Sequence, residues 1–181
     1  MTKYAQTVLL AATTALLACK GGDGEQVVAD LQGLGGHAVT GKVTFSDAGG
    51  KVRLDGEISG LTPGPHGFHI HQWGDCSAPD GKSAGDHFNP GHAQHGAPGA
   101  AVHAGDLGNI EADAAGRARV SLVLEQFEVG SGDKGIVGRS LIVHEKKDDL
   151  ASQPAGDSGD RVACAVIHTE GEAAKPVLPG A

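Results

Sequence analysis

The chain has 181 residues, of which 14 are basic and 22 acidic, giving a formal net charge of -8 at pH 7. That length fits one domain around a single core and not two large ones. The acidic balance argues against nucleic acid as a partner, although a small anion can still be drawn into a locally positive funnel.

From the amino end, MTKYAQTVLLAATTALLAC carries Lys3, an apolar run from Val8 to Ala18, and then Cys19. The run is too short to span a bilayer and has the layout of a secretory signal. Leu16-Leu17-Ala18-Cys19 resembles a bacterial lipobox, with Leu17 where a small residue is usual. Residues 1–18 are therefore expected to be removed, with Cys19 lipidated as a membrane anchor or the leader simply cleaved. Both routes export the domain, to the periplasm or cell envelope. Losing Lys3 leaves 13 basic against 22 acidic residues. In an oxidising compartment a lipidated Cys19 leaves Cys76 and Cys164 to pair, the alternative being two buried free thiols. Closing so long a loop is worth on the order of 4 kcal/mol in the chain-entropy model.

Residues 19–26, CKGGDGEQ, read as a flexible tether, and the domain is expected over 27–170 with a C-terminal tail at 171–181. Thirty glycines, eight prolines and 3% aromatic residues favour turns and short strands over long helices. VVADLQ (27–32) is a candidate strand. VTGKVTF (39–45) and VRLDGEI (52–58) alternate apolar with polar residues, the mark of half-buried antiparallel strands, with SDAGG as the hairpin turn between them. HGFHIHQ (66–72), GNIEAD (108–113), RARVSLVLEQF (117–127), RSLIVHE (139–145) and RVACAVI (161–167) complete a set of eight. The fold class expected is all-β, an eight-stranded Greek-key sandwich or flattened barrel. Two connections, Gln72 to Gly108 and Glu145 to Arg161, are too long for plain hairpins and are read as functional loops.

The chemistry lies in histidine. His69 and His71 are two apart on a strand, so both project to one face and can reach one ion. His87, His95, His103 and Asp106 supply three imidazoles and a carboxylate, a closed tetrahedral zinc set that leaves no place for water and is therefore structural. His69, His71 and His144 form a second imidazole set suited to copper. If His87 serves both ions through its two ring nitrogens, copper has four histidines and the sites are coupled.

The ordered motifs Gly67-Phe68-His69-Ile70-His71, Gly74-Asp75-Cys76, Ser83-Ala84-Gly85-Asp86-His87-Phe88-Asn89-Pro90, His95-Gly96, His103-Ala104-Gly105-Asp106-Leu107-Gly108-Asn109, Gly138-Arg139-Ser140-Leu141-Ile142-Val143-His144-Glu145-Lys146 and Arg161-Val162-Ala163-Cys164 resemble those of an exported, bacterial-type copper,zinc superoxide dismutase. The resemblance implies one copper per chain on His69, His71, His87 and His144, and one zinc on His87, His95, His103 and Asp106. It also implies a Cys76–Cys164 disulfide and a role for Arg161 in holding the superoxide anion. Asp148 matches a carboxylate that links a copper histidine to a zinc histidine. The implied reaction is dismutation of superoxide to dioxygen and hydrogen peroxide by redox cycling of copper, with His87 taking and returning a proton. A homodimer and a monomer are both compatible with the family.

Several positions depart from the family pattern: Asp86 and Gln72-Trp73 near the ligands, Asp160 as an acid beside Arg161, and Ala155 where a hydroxyl residue is common. Lys134, Lys146 and Lys147 are candidates for steering or plain solvated charges. His37 is expected to begin a strand exposed, His92 to sit in a loop, His168 to lie past the last strand, and His66 to pack behind the copper strand. The rival reading is an exported copper- or zinc-binding protein without catalysis; such proteins tend to lose a copper ligand or the arginine, and this chain keeps all of them.

Overall fold

The computed structural model describes residues 26–99 and 101–180. Among them run β1 Val27–Gly33, β2 Thr40–Asp47, β3 Val52–Ser59, β4 Gly64–His71, β5 Asp106–Ala112, β6 Arg117–Leu124, β7 Ser140–His144, β8 Arg161–Val166 and β9 His168–Thr169, with a single 3-10 turn at Lys82–Ala84. The leader 1–18, Cys19 and all of the expected tether but Gln26 lie outside the described residues.

The strands lie in the order β2-β3-β6-β5-β4-β7-β8-β1, and β1 pairs again with β2, so eight antiparallel strands close into a barrel. Closure removes the free edges that would otherwise recruit other chains. The steps from β3 to β4 and from β6 to β7 join strands that are not neighbours, which is Greek-key winding. All eight expected strands are present. The ninth, His168–Thr169, pairs with Val28 and Val27 of β1; the sequence placed His168 past the last strand because two residues carry no alternation to read. His37 is exposed in the connection before β2 and does not begin the strand, and β6 stops at Leu124 although Phe127 beyond it is still buried.

The core follows from alternation. Val43 and Phe45 of β2, Val52, Leu54 and Ile58 of β3, and Ala118 and Val120 of β6 point inward, while Arg53, Glu57 and Arg119 point out. Full burial of each large apolar side chain is worth about 1.5–3 kcal/mol. β4 is buried along both faces from His66 to His71. Phe68 and Ile70 join the core cluster, and the alternating His69 and His71 face the other way, under the two long connections. In β7, Leu141 and Val143 likewise enter the core, leaving Ile142 to pack outside the barrel with Cys164, Leu34 and Ala84. The first connection ends two residues earlier than expected, because Asp106 already pairs with His69.

Candidate metal centre

Strand register brings the ligand-type residues together. On β4, His69 stands opposite Asp106 of β5, His71 forms an isolated bridge with His87, and on β7, His144 stands opposite Arg161 of β8. The first loop is fastened to β8 by a Cys76–Cys164 disulfide, with Cα atoms 5.8 Å apart. The second loop folds on itself through Lys146 N–H to Ser158 O at 2.9 Å and Asp149 N–H to Gly156 O at 2.8 Å.

Two buried clusters result, one of His69, His71, His87 and His144, the other of His87, His95, His103 and Asp106. In the second, His87 Nδ1, His95 Nδ1 and His103 Nδ1 lie 2.8, 3.0 and 3.3 Å from Asp106 Oδ1. Ligand atoms around one tetrahedral zinc with bonds near 2.0 Å are about 3.3 Å apart, so the set has the right size. In the first, His71 Nε2 and His144 Nε2 are 3.4 Å apart.

The fit to metal rests on which nitrogens are already engaged. A carboxylate accepts only, so His69 Nε2 and His95 Nε2 carry the protons that they donate to Asp148 Oδ2 and Oδ1, at 2.8 and 2.9 Å. His71 Nδ1 donates to Gly85 O at 2.9 Å, and His144 Nδ1 to Gly159 O at 3.3 Å. In each ring the other nitrogen is then left with a lone pair aimed inward. His69 Nδ1, His87 Nε2, His95 Nδ1 and His103 Nδ1 are buried without any hydrogen-bond partner. Four orphaned buried nitrogens in one small volume would be costly in a plain core, and they are what metal ligands require. The chain thus holds one histidine cluster suited to copper and one suited to zinc.

Burial sets the protonation in the same sense. It pushes His69 down to about 4 against the raising effect of Asp148, and holds His71 and His144 well below the usual imidazole range, with neighbouring histidines adding to it. Burial raises the Asp148 carboxyl, but hydrogen bonds from His69, Leu150 N–H and His95 outweigh it and bring the group to about 2. Neutral imidazoles are the ligating forms, and an ionised Asp148 is the form that accepts from both rings; His95 runs the other way, since burial lowers it but the Asp148 hydrogen bond and the Asp106 charge raise it further.

Arg161 is half-buried at the mouth. Its Nη1 donates to Gly81 O at 2.6 Å and its Nη2 to Gly85 O at 2.7 Å. It lines a cavity of about 460 Å³ together with His144, Pro154, Ala155 and Ser158. A larger cavity, about 660 Å³, is lined by His87, His103, Asp86 and Arg139 and shares Pro154 with the smaller one. The smaller one brings the guanidinium and His144 together. Burial lowers the Arg161 guanidinium, against the raising fields of Asp86 and Asp80. Asp160 offers its carbonyl to Glu145 N–H at 2.7 Å.

Four contributors escaped the sequence reading. Asn109 clamps Asp148 by a reciprocal pair, Nδ2 to Asp148 O at 2.9 Å and Asp148 N–H to Oδ1 at 2.8 Å. Gln153 does the same for the backbone of His95. Gly156, at φ 66°, leaves the space that the Asp148 and His95 side chains occupy; a Cβ there would fall on Asp148 Oδ1. Lys82, paired with Asp80 at 2.9 Å, is a lysine close enough for its charge and that of Arg161 to act on each other. The Asn109 pair could have been suspected from its motif; the others depend on loop geometry. The His66 ring sits between two carbonyl acceptors behind the ligands, His144 O at 2.7 Å from its Nδ1 and Thr62 O at 2.8 Å from its Nε2, and His92 is exposed at φ 49°. Gln72 and Asp86 pair through their backbones and make no side-chain hydrogen bond to a ligand.

Residues 39–167 match the copper/zinc superoxide dismutase (SODC) family. Superoxide dismutase [Cu-Zn] 4 of Dictyostelium discoideum is 47% identical over 143 residues, covering 73% of this chain and 92% of that protein. The extracellular superoxide dismutase [Cu-Zn] of Caenorhabditis elegans is 44% identical over 137 residues, covering 71% of this chain and 61% of that protein. A copper chaperone for superoxide dismutase from Rattus norvegicus is 43% identical over 148 residues, covering 77% of this chain but only 52% of its own length. The crystal structure of the clock protein EA4 superposes with a TM-score of 0.72 at 40% identity, covering 80% of this chain and 94% of that one. With the eight-stranded closed barrel, two histidine clusters of the right composition and a match across most of the domain, the chain belongs to the copper/zinc superoxide dismutase family.

Proposed function

We propose that the chain is an exported superoxide dismutase, with copper held by His69, His71, His87 and His144 and zinc by His87, His95, His103 and Asp106. The observation that carries the catalytic reading is Arg161 facing an open cavity beside His144 while the copper-type cluster keeps all four imidazoles. When bound, copper would supply one-electron exchange, by which two superoxide anions and two protons become one dioxygen and one hydrogen peroxide.

The chain's own residues do the rest. Arg161, with two donors fixed on Gly81 and Gly85, has its remaining N–H groups for a small anion beside His144. The His87 ring spans both clusters, and its Nε2, free of any hydrogen bond, is the atom that can hold a proton next to departing peroxide. Asp148 orients the rings of His69 and His95 from behind. The zinc-type cluster has no open ligand position and pins the first loop.

Superoxide decay followed by stopped flow, with the mature protein loaded with both metals and with Arg161→Ala beside it, tests this. Turnover that falls in the variant supports the enzyme; full copper occupancy without turnover in the unaltered protein leaves a copper-handling role, the activity named for the chaperone relatives. Export through the leader 1–18, a tether at 19–26 and lipidation at Cys19 belong to the same proposal. Lipid labelling of the full-length chain against Cys19→Ser decides the anchor, and an unlabelled wild type removes it.

A further inference from the structure

The segment after β9 is not used by the metal site. It is exposed from Glu170 to Pro176, turns at Gly171 with φ 84°, and then returns to the barrel through Val177. The Val177 N–H donates to Gly138 O at 2.6 Å, and the Val177 carbonyl accepts the Gly74 N–H at 2.8 Å. One residue thus ties the loop after β4 to the loop before β7.

Both glycines are buried beneath this strap, and neither could carry a side chain. A Cβ at Gly74 would fall on the Gly138 carbonyl oxygen and 3.0 Å from Pro176 Cα. One at Gly138 would lie 2.7 Å from Lys175 O and 3.0 Å from Val177 Cγ2. The floor of the slot is therefore bare backbone, and it reads an extended segment through its main chain, as an added strand does. Without Val177, the Gly74 N–H and the Gly138 carbonyl would lose the backbone partner each has among the described residues. Buried main-chain groups do not stay unpaired cheaply. Pro176 and Pro179 flank the contact; they keep the segment extended and remove donors from its outer edge, so pairing stops at one strap.

The attachment is thin, two hydrogen bonds and one half-buried valine at the end of an exposed hinge. A slot that recognises backbone accepts the same segment from an identical neighbour, which is the condition for exchange of an element between copies. We propose that Gly74 and Gly138 form a docking slot filled by the chain's own Lys175–Leu178, and that the same segment of a second copy fills it to give a strap-exchanged dimer.

Two experiments on the full domain test this. Deleting residues 171–173 shortens the hinge so that the strap cannot reach its own slot; light scattering on the eluting protein should then give twice the mass that the undeleted chain gives, and adding Val177→Pro should return it to that of the undeleted chain. A hinge-shortened chain whose mass does not double relative to the undeleted chain, or a doubled mass that survives Val177→Pro, overturns the proposal. Separately, Val177→Pro in the otherwise intact chain vacates the slot, and Trp73, the single tryptophan, sits beside Gly74 as a reporter. A peptide of sequence AKPVLPGA should change its fluorescence saturably, and N-methylation at the valine should weaken binding about tenfold or more. No saturable change, or equal binding by both peptides, rules the slot out.

Discussion

His71 and Arg161 donate to the same atom, the Gly85 carbonyl oxygen, at 2.9 and 2.7 Å. The ring that faces the copper-type cluster and the guanidinium that faces the cavity are thereby set against each other by one peptide group. Replacing Arg161 with Lys keeps the charge, but one ammonium cannot hold the Gly81 and Gly85 carbonyls and also present a planar fork to an anion. Arg161→Lys is expected to lower kcat/KM about tenfold and Arg161→Ala about 100-fold, both with metal content unchanged by elemental analysis.

Asp148 fixes two tautomers at once, because each of its oxygens accepts from a different ring. An amide can accept at only one of the two positions, so Asp148→Asn should leave His69 or His95 with its proton on the wrong nitrogen. Metal affinity by chelator competition is expected to fall about 10–100-fold. Gly156→Ala, which drives a methyl into the same carboxylate, should show the same loss without removing any charge.

The metal-free protein should become less stable on acidification in two successive windows. An unfolded chain protonates His69 near 6.5, whereas the folded chain resists until about 4. Between those values the unfolded state holds more protons, so stability rises with pH, and the full penalty is on the order of 3 kcal/mol. Asp148 acts in the same direction lower down, from 3.8 to about 2, since its folded carboxyl is the harder to protonate. Urea denaturation of the metal-free protein between pH 4 and 7 should show this rise; a flat profile would contradict it.

Reducing the Cys76–Cys164 bond is expected to cost about 4 kcal/mol of stability in the chain-entropy model. Arg161 is anchored on Gly81 and Gly85, both in the loop that the disulfide fastens. Activity should therefore fall in reductant at concentrations where circular dichroism still reports the folded barrel.

Asp80 and Asp86 oppose the positive charge of Arg161. Asp86→Asn should raise kcat/KM a few-fold at low ionic strength, with the gain fading as salt is added, and Lys82→Ala should lower it. Stopped-flow rates over a salt series distinguish this from a change at the metals, which would not depend on ionic strength in that way.

Alternation of two made β2, β3 and β6 readable, since Val43, Phe45, Leu54 and Val120 mark one face and Arg53 and Glu57 the other. It also placed His69 and His71 on a common face. The two-residue β9 and the end of β6 carry too little period to be seen. The composition of both histidine clusters was legible because ligand chemistry restricts residue type. What held those rings was not: Gly85 O and Gly159 O act through backbone, and any residue offers a carbonyl. Asp80 and Asp86, distant from Arg161 in sequence, act on its charge only once the loop is folded, so no local pattern announces them.

The division of β4 between Phe68 and Ile70 on one side and His69 and His71 on the other has a consequence for assembly. A slip of one residue against β7 would turn two imidazoles into the apolar interior and two large hydrocarbons toward Asp106 and His87. Such a mispaired chain would present no set of nitrogens to an ion. Metal binding would therefore favour the correct pairing of β4 over the slipped one, since only the native register offers the ion its ligands.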